Sequence, residues 1–254
     1  MHQGTRDIQQ DALYVSESVY TGTEDSMILG VLGDGMGGMR GGEMASRKAV
    51  EQIKTDFIRY MQSVLDDTPA FLRQEMFMTD QMIYNLAETK YAASGAMGTT
   101  LAAVIIRQNL LFWASVGDSR IYILRGREML QMTRDHNYML QLREMVANKE
   151  ITLDEAKSHP QREALISYLG MGGLALLDNN TNPLQLVAGD IILLCSDGLY
   201  KALTDKEIKN ILLDNAADIE AAADYLTSRA YDISCEKGSD YQDNTSVILI
   251  RYEE

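Results

Sequence analysis

The sequence predicts an α+β fold, a layered sandwich built on antiparallel sheets, and three observations predict it. Strand patterns follow one another in hairpin order over residues 99–131, two long helical patterns run consecutively ahead of them, and helices do not alternate singly with strands as a parallel sheet requires. With 254 residues, 46% of them hydrophobic, the chain can bury a substantial core. Its 3 prolines mark no linker, so a single domain over 1–254 is expected.

In chain order, Met27-Ile28-Leu29-Gly30-Val31-Leu32 is an apolar run of strand length that enters the glycine-rich turn Gly33-Asp34-Gly35-Met36-Gly37-Gly38. Beyond the turn, Ala45, Ala49, Ile53, Phe57 and Met61 recur at helical spacing and predict a helix from 42 to about 65. A second helix, from 69 to about 91, keeps Leu72, Met76, Ile83 and Leu86 in register. Strands at 99–107 and 110–116 flank the turn Gln108-Asn109; strands at 120–124 and 127–131 flank Arg125-Gly126. Residues 135–170 break into short helical pieces with a capping box at Thr152-Leu153-Asp154-Glu155, and read as a flap beside the site. The runs Ile191-Ile192-Leu193-Leu194-Cys195 and Val247-Ile248-Leu249-Ile250 read as buried strands, with a helix near 219–231 before the second. The 15 methionines read as adaptable core filling, and no internal repeat or low-complexity segment occurs.

Charge and composition narrow the function classes. Lys plus Arg total 23 against 37 Asp plus Glu, a net charge of -14, and no basic stripe gathers on any predicted element, which argues against a nucleic-acid partner. Cys195 and Cys235 fall in no zinc or redox spacing, so a disulfide framework and a soft-metal site both lose support. No stretch approaches the roughly 18 apolar residues of a membrane span, and the first residues lack the charged and apolar regions of a signal peptide; a cytoplasmic protein with no membrane association is expected.

Asp34 in its glycine turn is the feature that carries chemistry. Gly33, Gly35 and Gly38 satisfy a G-x-G-x-x-G fingerprint, but a pyrophosphate would then meet the Asp34 carboxylate, and the stretch around Asp56, where a ribose-binding acid belongs, continues a helix. The competing reading makes Asp34 a metal ligand, with glycines that let a carbonyl and water approach a cation. It demands partner carboxylates, and Asp11, Asp197 and Asp243 are placed for this, the latter two at the mouths of buried strands. Any one of these dipeptides could simply close a turn; four at once are harder to read that way.

The ordered set of segments resembles the metal-dependent type 2C serine/threonine protein phosphatases, especially their compact bacterial members. The matching segments are Arg6-x-x-x-Gln10-Asp11, Gly33 to Gly38 with Gly42-Glu43-x-Ala45-Ser46, Gly95-Ala96-Met97-Gly98-Thr99-Thr100, Val116-Gly117-Asp118-Ser119-Arg120, Thr133-Arg134-Asp135-His136, His159-Pro160-Gln161-Arg162, Ser196-Asp197-Gly198-Leu199 and Asp243-Asn244-Thr245. The resemblance implies a four-layer αββα sandwich, two antiparallel sheets packed face to face and flanked by helix pairs, with two Mn²⁺ or Mg²⁺ ions at one end. By position, Asp34 would bridge both ions, Asp197 and Asp243 would complete the first site, and the Gly35 carbonyl with Asp11 would serve the second. Asp118, with Asp197, matches where the family holds a weaker third ion; its other reading is a turn residue ahead of the Arg120 strand.

These ligands are all oxygens, as hard divalent ions prefer, and such a pair would acidify a shared water that attacks phosphorus in line with the seryl or threonyl leaving oxygen. Arg6 is the expected phosphate-binding arginine, since a planar guanidinium can hold two phosphate oxygens. The chain departs from the family pattern at Met36 and Met39, where a histidine is commonly found at one or the other, and at Gln9, where asparagine is frequent; of its histidines, His2, His136 and His159, only His159 is an alternative acid, and its first reading is a structural one at the turn before Pro160. The implied partners are phosphorylated proteins and a cognate serine/threonine kinase, and a monomer is expected. The alternative is a weak or inactive relative that binds metal or phosphoprotein as a regulator.

Overall fold

The computed structural model describes residues 1–20, 26–36, 41–92, 96–236 and 242–253. The strands are β1 (Asp11–Val15), β2 (Val19–Tyr20), β3 (Ser26–Asp34), β4 (Leu101–Arg107), β5 (Leu110–Val116), β6 (Arg120–Arg125), β7 (Glu128–Gln131), β8 (Asp178–Asn179), β9 (Leu184–Gln185), β10 (Ile191–Cys195) and β11 (Val247–Arg251). The helices are α1 (Gly42–Arg59), α2 (Met61–Asp66), α3 (Thr68–Tyr91), α4 (Tyr138–Ala147), α5 (Leu153–Ser158), α6 (Asp197–Ala202), α7 (Asp205–Asp214) and α8 (Ile219–Glu236). One sheet runs β1-β3-β4-β5-β8, with β2 on β3 and β9 on β5; the other runs β11-β10-β6-β7, and every pairing is antiparallel. The connection from β3 through α1, α2 and α3 to an antiparallel β4 removes the dinucleotide fold from consideration.

Side-chain alternation explains the layering. On β3 and β4, Met27, Leu29, Val31, Leu101, Ala103 and Ile105 pack beneath α1 and α3, whereas Leu32, Ala102, Val104 and Ile106 face the other sheet. On β6, β10 and β11, Ile121, Ile123, Ile192, Leu194, Ile248 and Ile250 return that contact, and Tyr122, Leu193, Cys195 and Val247 pack under α6, α7 and α8. The expected four layers are therefore present: helices, sheet, sheet, helices. Gly30 is small because a Cβ there would lie 3.1 Å from Val104 and 3.3 Å from Ile250 of the facing sheet.

Two expected elements change. The long first helix stops at Arg59, its cap Tyr60 departs from helical geometry, and the apolar period resumes in α2. The third helix starts at Thr68 because Asp67 caps it, accepting from the Ala70 N–H at 2.9 Å ahead of Pro69 in the first turn. In the 135–170 segment the capping box at Thr152 and Glu155 is formed and starts α5.

Beneath the first helix pair, Asp56 of α1 and Glu75 of α3 are each 2% exposed and share a hydrogen bond. Burial, then the neighbouring Asp56, pushes the Glu75 carboxyl up from 4.5 to about 7. Between these values the folded chain binds more protons than the unfolded one, so this stabilisation is full below about pH 4.5 and is lost as pH rises through about 7. Glu75→Gln is expected to flatten the urea-midpoint profile over that window and to be the more stable protein above it. Parallel profiles for variant and parent would refute the assignment.

Candidate metal and phosphate site

Strand register brings the acidic residues together. Asp11 and Asp34 are cross-strand partners at one end of the first sheet. Cys195 pairs with both Arg120 and Val247 at the end of the second, so Asp118, Asp197 and Asp243, lying just beyond these residues in sequence, emerge there as well. The Ser196 hydroxyl donates to Asp11 Oδ2 at 2.9 Å and accepts from the Ser246 N–H at 2.9 Å, which ties the two sheet ends to each other. Two glycines permit this closeness. A Cβ at Gly35 would collide with the Gly42 carbonyl and come within 2.6 Å of the Gln10 carbonyl; one at Gly198 would collide with the Asn244 carbonyl.

The result is a cleft of about 270 Å³ whose walls include Arg6, Asp34, Gly35, Met36, Asp118, Glu163, Asp197, Lys201 and Asp243. Asp11 is 5% exposed behind it, and its Oδ1 is buried without a hydrogen-bond partner. Burial, and then Asp11, Asp197, Asp118 and Asp243, push the Asp34 carboxyl well above its ordinary range. Burial raises Asp11 from 3.8 to about 6, with the Ser246 and Ser196 hydroxyls opposing it and Asp197 and Asp243 adding to it. Asp118 is raised to about 7 by burial and then by Asp197, against the pull of Lys201. Carboxylates that burden one another in this way have the chemistry of a hard-cation site: all-oxygen donors, crowded acidic groups and an orphaned acceptor.

Two of the carboxylates already hold cations of the chain. Arg6 donates from Nε and Nη2 to the two oxygens of Asp243 at 2.9 and 2.8 Å, a bidentate fork, and Lys201 Nζ lies 2.5 Å from Asp197 Oδ2. Among the described residues no group of three or more His, Cys, Asp or Glu side chains is arranged to hold a metal ion as it stands. Gln9 accepts from the Asp11 N–H at 2.9 Å, so the glutamine orients that segment from its own side chain. Asn244 accepts from the Gln10 N–H at 2.8 Å and donates to the Gln3 carbonyl at 2.8 Å, fastening the N-terminal segment beside Asp243.

Neither histidine of the 135–170 segment lines this cleft. His136 is fully buried; its Nδ1 accepts from the Gly117 N–H at 3.2 Å, and its Nε2 lies 3.4 Å from Asp178. His159 ends α5, stacks on Tyr138 with ring centroids 5.1 Å apart, and accepts from the Gln161 N–H at 3.2 Å, the turn role its neighbour Pro160 suggests. Gly37, Gly38, Met39 and Gly95 lie outside the described residues. Two charged residues escape the sequence reading. Lys201 was findable as a cation one helical turn after Asp197. Asp178, which His136 and then Arg134 hold well below the ordinary carboxylate range despite its burial, stands in a two-residue strand with no pattern to mark it.

With this geometry established, known proteins give it a lineage. The family model described as Protein phosphatase 2C matches residues 1–230. The serine/threonine phosphatase stp of Listeria welshimeri is 32% identical over 231 residues, covering 89% of this chain and 85% of that protein. The crystal structure of the Staphylococcus aureus serine/threonine phosphatase Stp1 is similar with a TM-score of 0.79 at 29% identity, over 100% of this chain and 93% of that one. The catalytic domain of the phosphatase PstP, solved in complex with 2 manganese ions, is similar with a TM-score of 0.70 at 27% identity, over 98% and 94%. A carboxylate cleft at the joined ends of two antiparallel sheets, carried on this lineage, places the chain in the protein phosphatase 2C family.

Proposed function

We propose that this chain hydrolyses phosphoserine and phosphothreonine in proteins with the help of two Mn²⁺ or Mg²⁺ ions held in the carboxylate cleft. The observation that carries the reading is the gathering of Asp11, Asp34, Asp118, Asp197 and Asp243 at one end of the sandwich, each from a different strand end or adjoining loop. Family membership supports dephosphorylation of protein serine and threonine, and the manganese-bound relative supports the ions.

Asp34, Asp197, Asp243, the Gly35 carbonyl and Asp11 would hold the ions, Asp11 acting through its partnerless Oδ1 or through water. Such ions, when bound, would supply an acidified water near neutral pH and positive charge for the phosphoryl oxygens. Arg6 turns its fork from Asp243 onto two phosphate oxygens, keeping the bidentate geometry it already has. Met36 lines the cleft where it can shield the phosphate but carries no proton, and no histidine lines it among the described residues, so the leaving oxygen takes its proton from water. The 135–170 segment acts as a flap: Arg143, Arg162 and Glu163 border an adjoining cavity of about 480 Å³ that shares Asp118 and Lys201 with the cleft and would receive residues flanking the phosphate. The whole of 1–254 works as one domain and as a monomer, on phosphoproteins produced by a serine/threonine kinase. No helix among the described residues is long and apolar enough to cross a membrane.

The deciding experiment is phosphate release from a phosphothreonine peptide. Manganese is expected to activate it and a chelator to stop it. Peptide held intact in the presence of manganese, with no release, would instead identify a phosphoprotein-binding regulator.

A further inference from the structure

Lys201 stands in the cleft in a way that an ordinary helix-surface lysine does not. It lies one turn after Asp197 on α6, its Nζ 2.5 Å from Asp197 Oδ2 and 3.7 Å from Glu163 Oε2 of the flap. Exposed pairs at this spacing contribute little, because solvent screens both charges. Here the acid is only 15% exposed, and the ammonium also attracts the buried carboxylate of Asp118, which lines the same cleft.

Other charge near Asp118 is already committed. Arg120 donates to both oxygens of Asp135 at 2.9 and 2.7 Å and stacks over the Tyr200 ring, 3.5 Å from its centroid. Tyr200 in turn donates its hydroxyl to the Asp118 carbonyl at 3.0 Å, which fixes the backbone beside this corner. The ammonium pairs with Asp197 Oδ2 and leaves Oδ1 to the first ion, so it competes only with an added ion at the Asp118–Asp197 corner, which would need that same Oδ2 and lie close enough to be repelled.

We propose that Lys201 is a tethered counter-ion that holds the Asp118–Asp197 corner of the cleft against a divalent cation and so limits how many ions the chain binds. The inference rests on the metal-dependent reading above and adds to it a residue that sets ion number. It assigns Asp118 a partner within the chain in place of an added ion. The side chain of Lys201 is 43% exposed, so its replacement leaves the core untouched.

The test is a count of manganese bound per chain, by equilibrium dialysis with elemental analysis, on the wild type, Lys201→Met, Lys201→Arg and Lys201→Met combined with Asp118→Asn. Lys201→Met is expected to bind one manganese more than the wild type. Lys201→Arg is expected to match the wild type, and the double variant to lose the gain. Equal counts for wild type and Lys201→Met, a gain in Lys201→Arg as large as in Lys201→Met, or a gain that survives without Asp118 would each overturn the inference while leaving the metal-dependent reading in place. A wild type that binds no manganese would overturn both.

Discussion

Asp34→Asn is expected to reduce manganese-dependent phosphate release by at least about 10³-fold, more than the loss of a single hydrogen-bond donor usually costs a catalytic site. The substitution preserves shape, so the loss isolates charge. Asp34 is the acid on which Asp11, Asp197, Asp118 and Asp243 all act, and none of the described cations is paired with it. Removing its charge relieves repulsion, and the metal-free variant should melt at or above the wild-type temperature. Manganese should raise the melting temperature of the wild type by mass action and leave the variant where it was. Calorimetric melting with and without manganese, beside the phosphate assay, checks both halves. Activity within tenfold of wild type would remove Asp34 from the centre of the mechanism.

Leu194→Ala should cost stability on the order of 2–5 kcal/mol, the range for emptying a well-packed leucine site. Leu194 is fully buried, pairs with Ile121 and Ile248 across its own sheet, and packs into the layer shared with Leu32 and Val104. Against a total of roughly 5–15 kcal/mol for a typical domain, that is a large fraction. A urea midpoint shifted downward at constant slope is the expected signature. Leu130→Ala, on β7 where the side chain is 66% exposed, serves as the comparison and should change stability by no more than about 0.5 kcal/mol. Equal shifts for the two would mean that the layer between the sheets does not hold them together.

Much of this was readable because local signals agreed with the fold. The strand Leu110–Val116 is found at its expected bounds, since the Gln108-Asn109 turn and continuous apolar residues specify the same hairpin. Ile191–Cys195 and Val247–Arg251 are equally plain runs between polar loops. The break at Tyr60 was invisible because Met61 and Leu65 sustain the helical period on either side of it. The two-residue strands β8 and β9 offer no period at all. At the site, sequence supplied the acids but not their present companions. Arg6 was expected on phosphate and stands on Asp243, because reach across a cleft formed by several separate segments is not local information, while Lys201 on Asp197 was missed although its spacing of one helical turn carried it.

The bond from Ser196 to Asp11 gives the site a place in the order of folding. Neither sheet owns the full donor set: Asp11 and Asp34 belong to one, and Asp118, Asp197 and Asp243 to the other. Each half itself needs long-range pairing, since helices separate β3 from β4 and β10 from β11, and cation affinity arises only once partners some 185 positions apart along the chain have met. Divalent ions would then act as a late staple, drawing their binding energy from the docking of two layers and returning it as resistance to their separation.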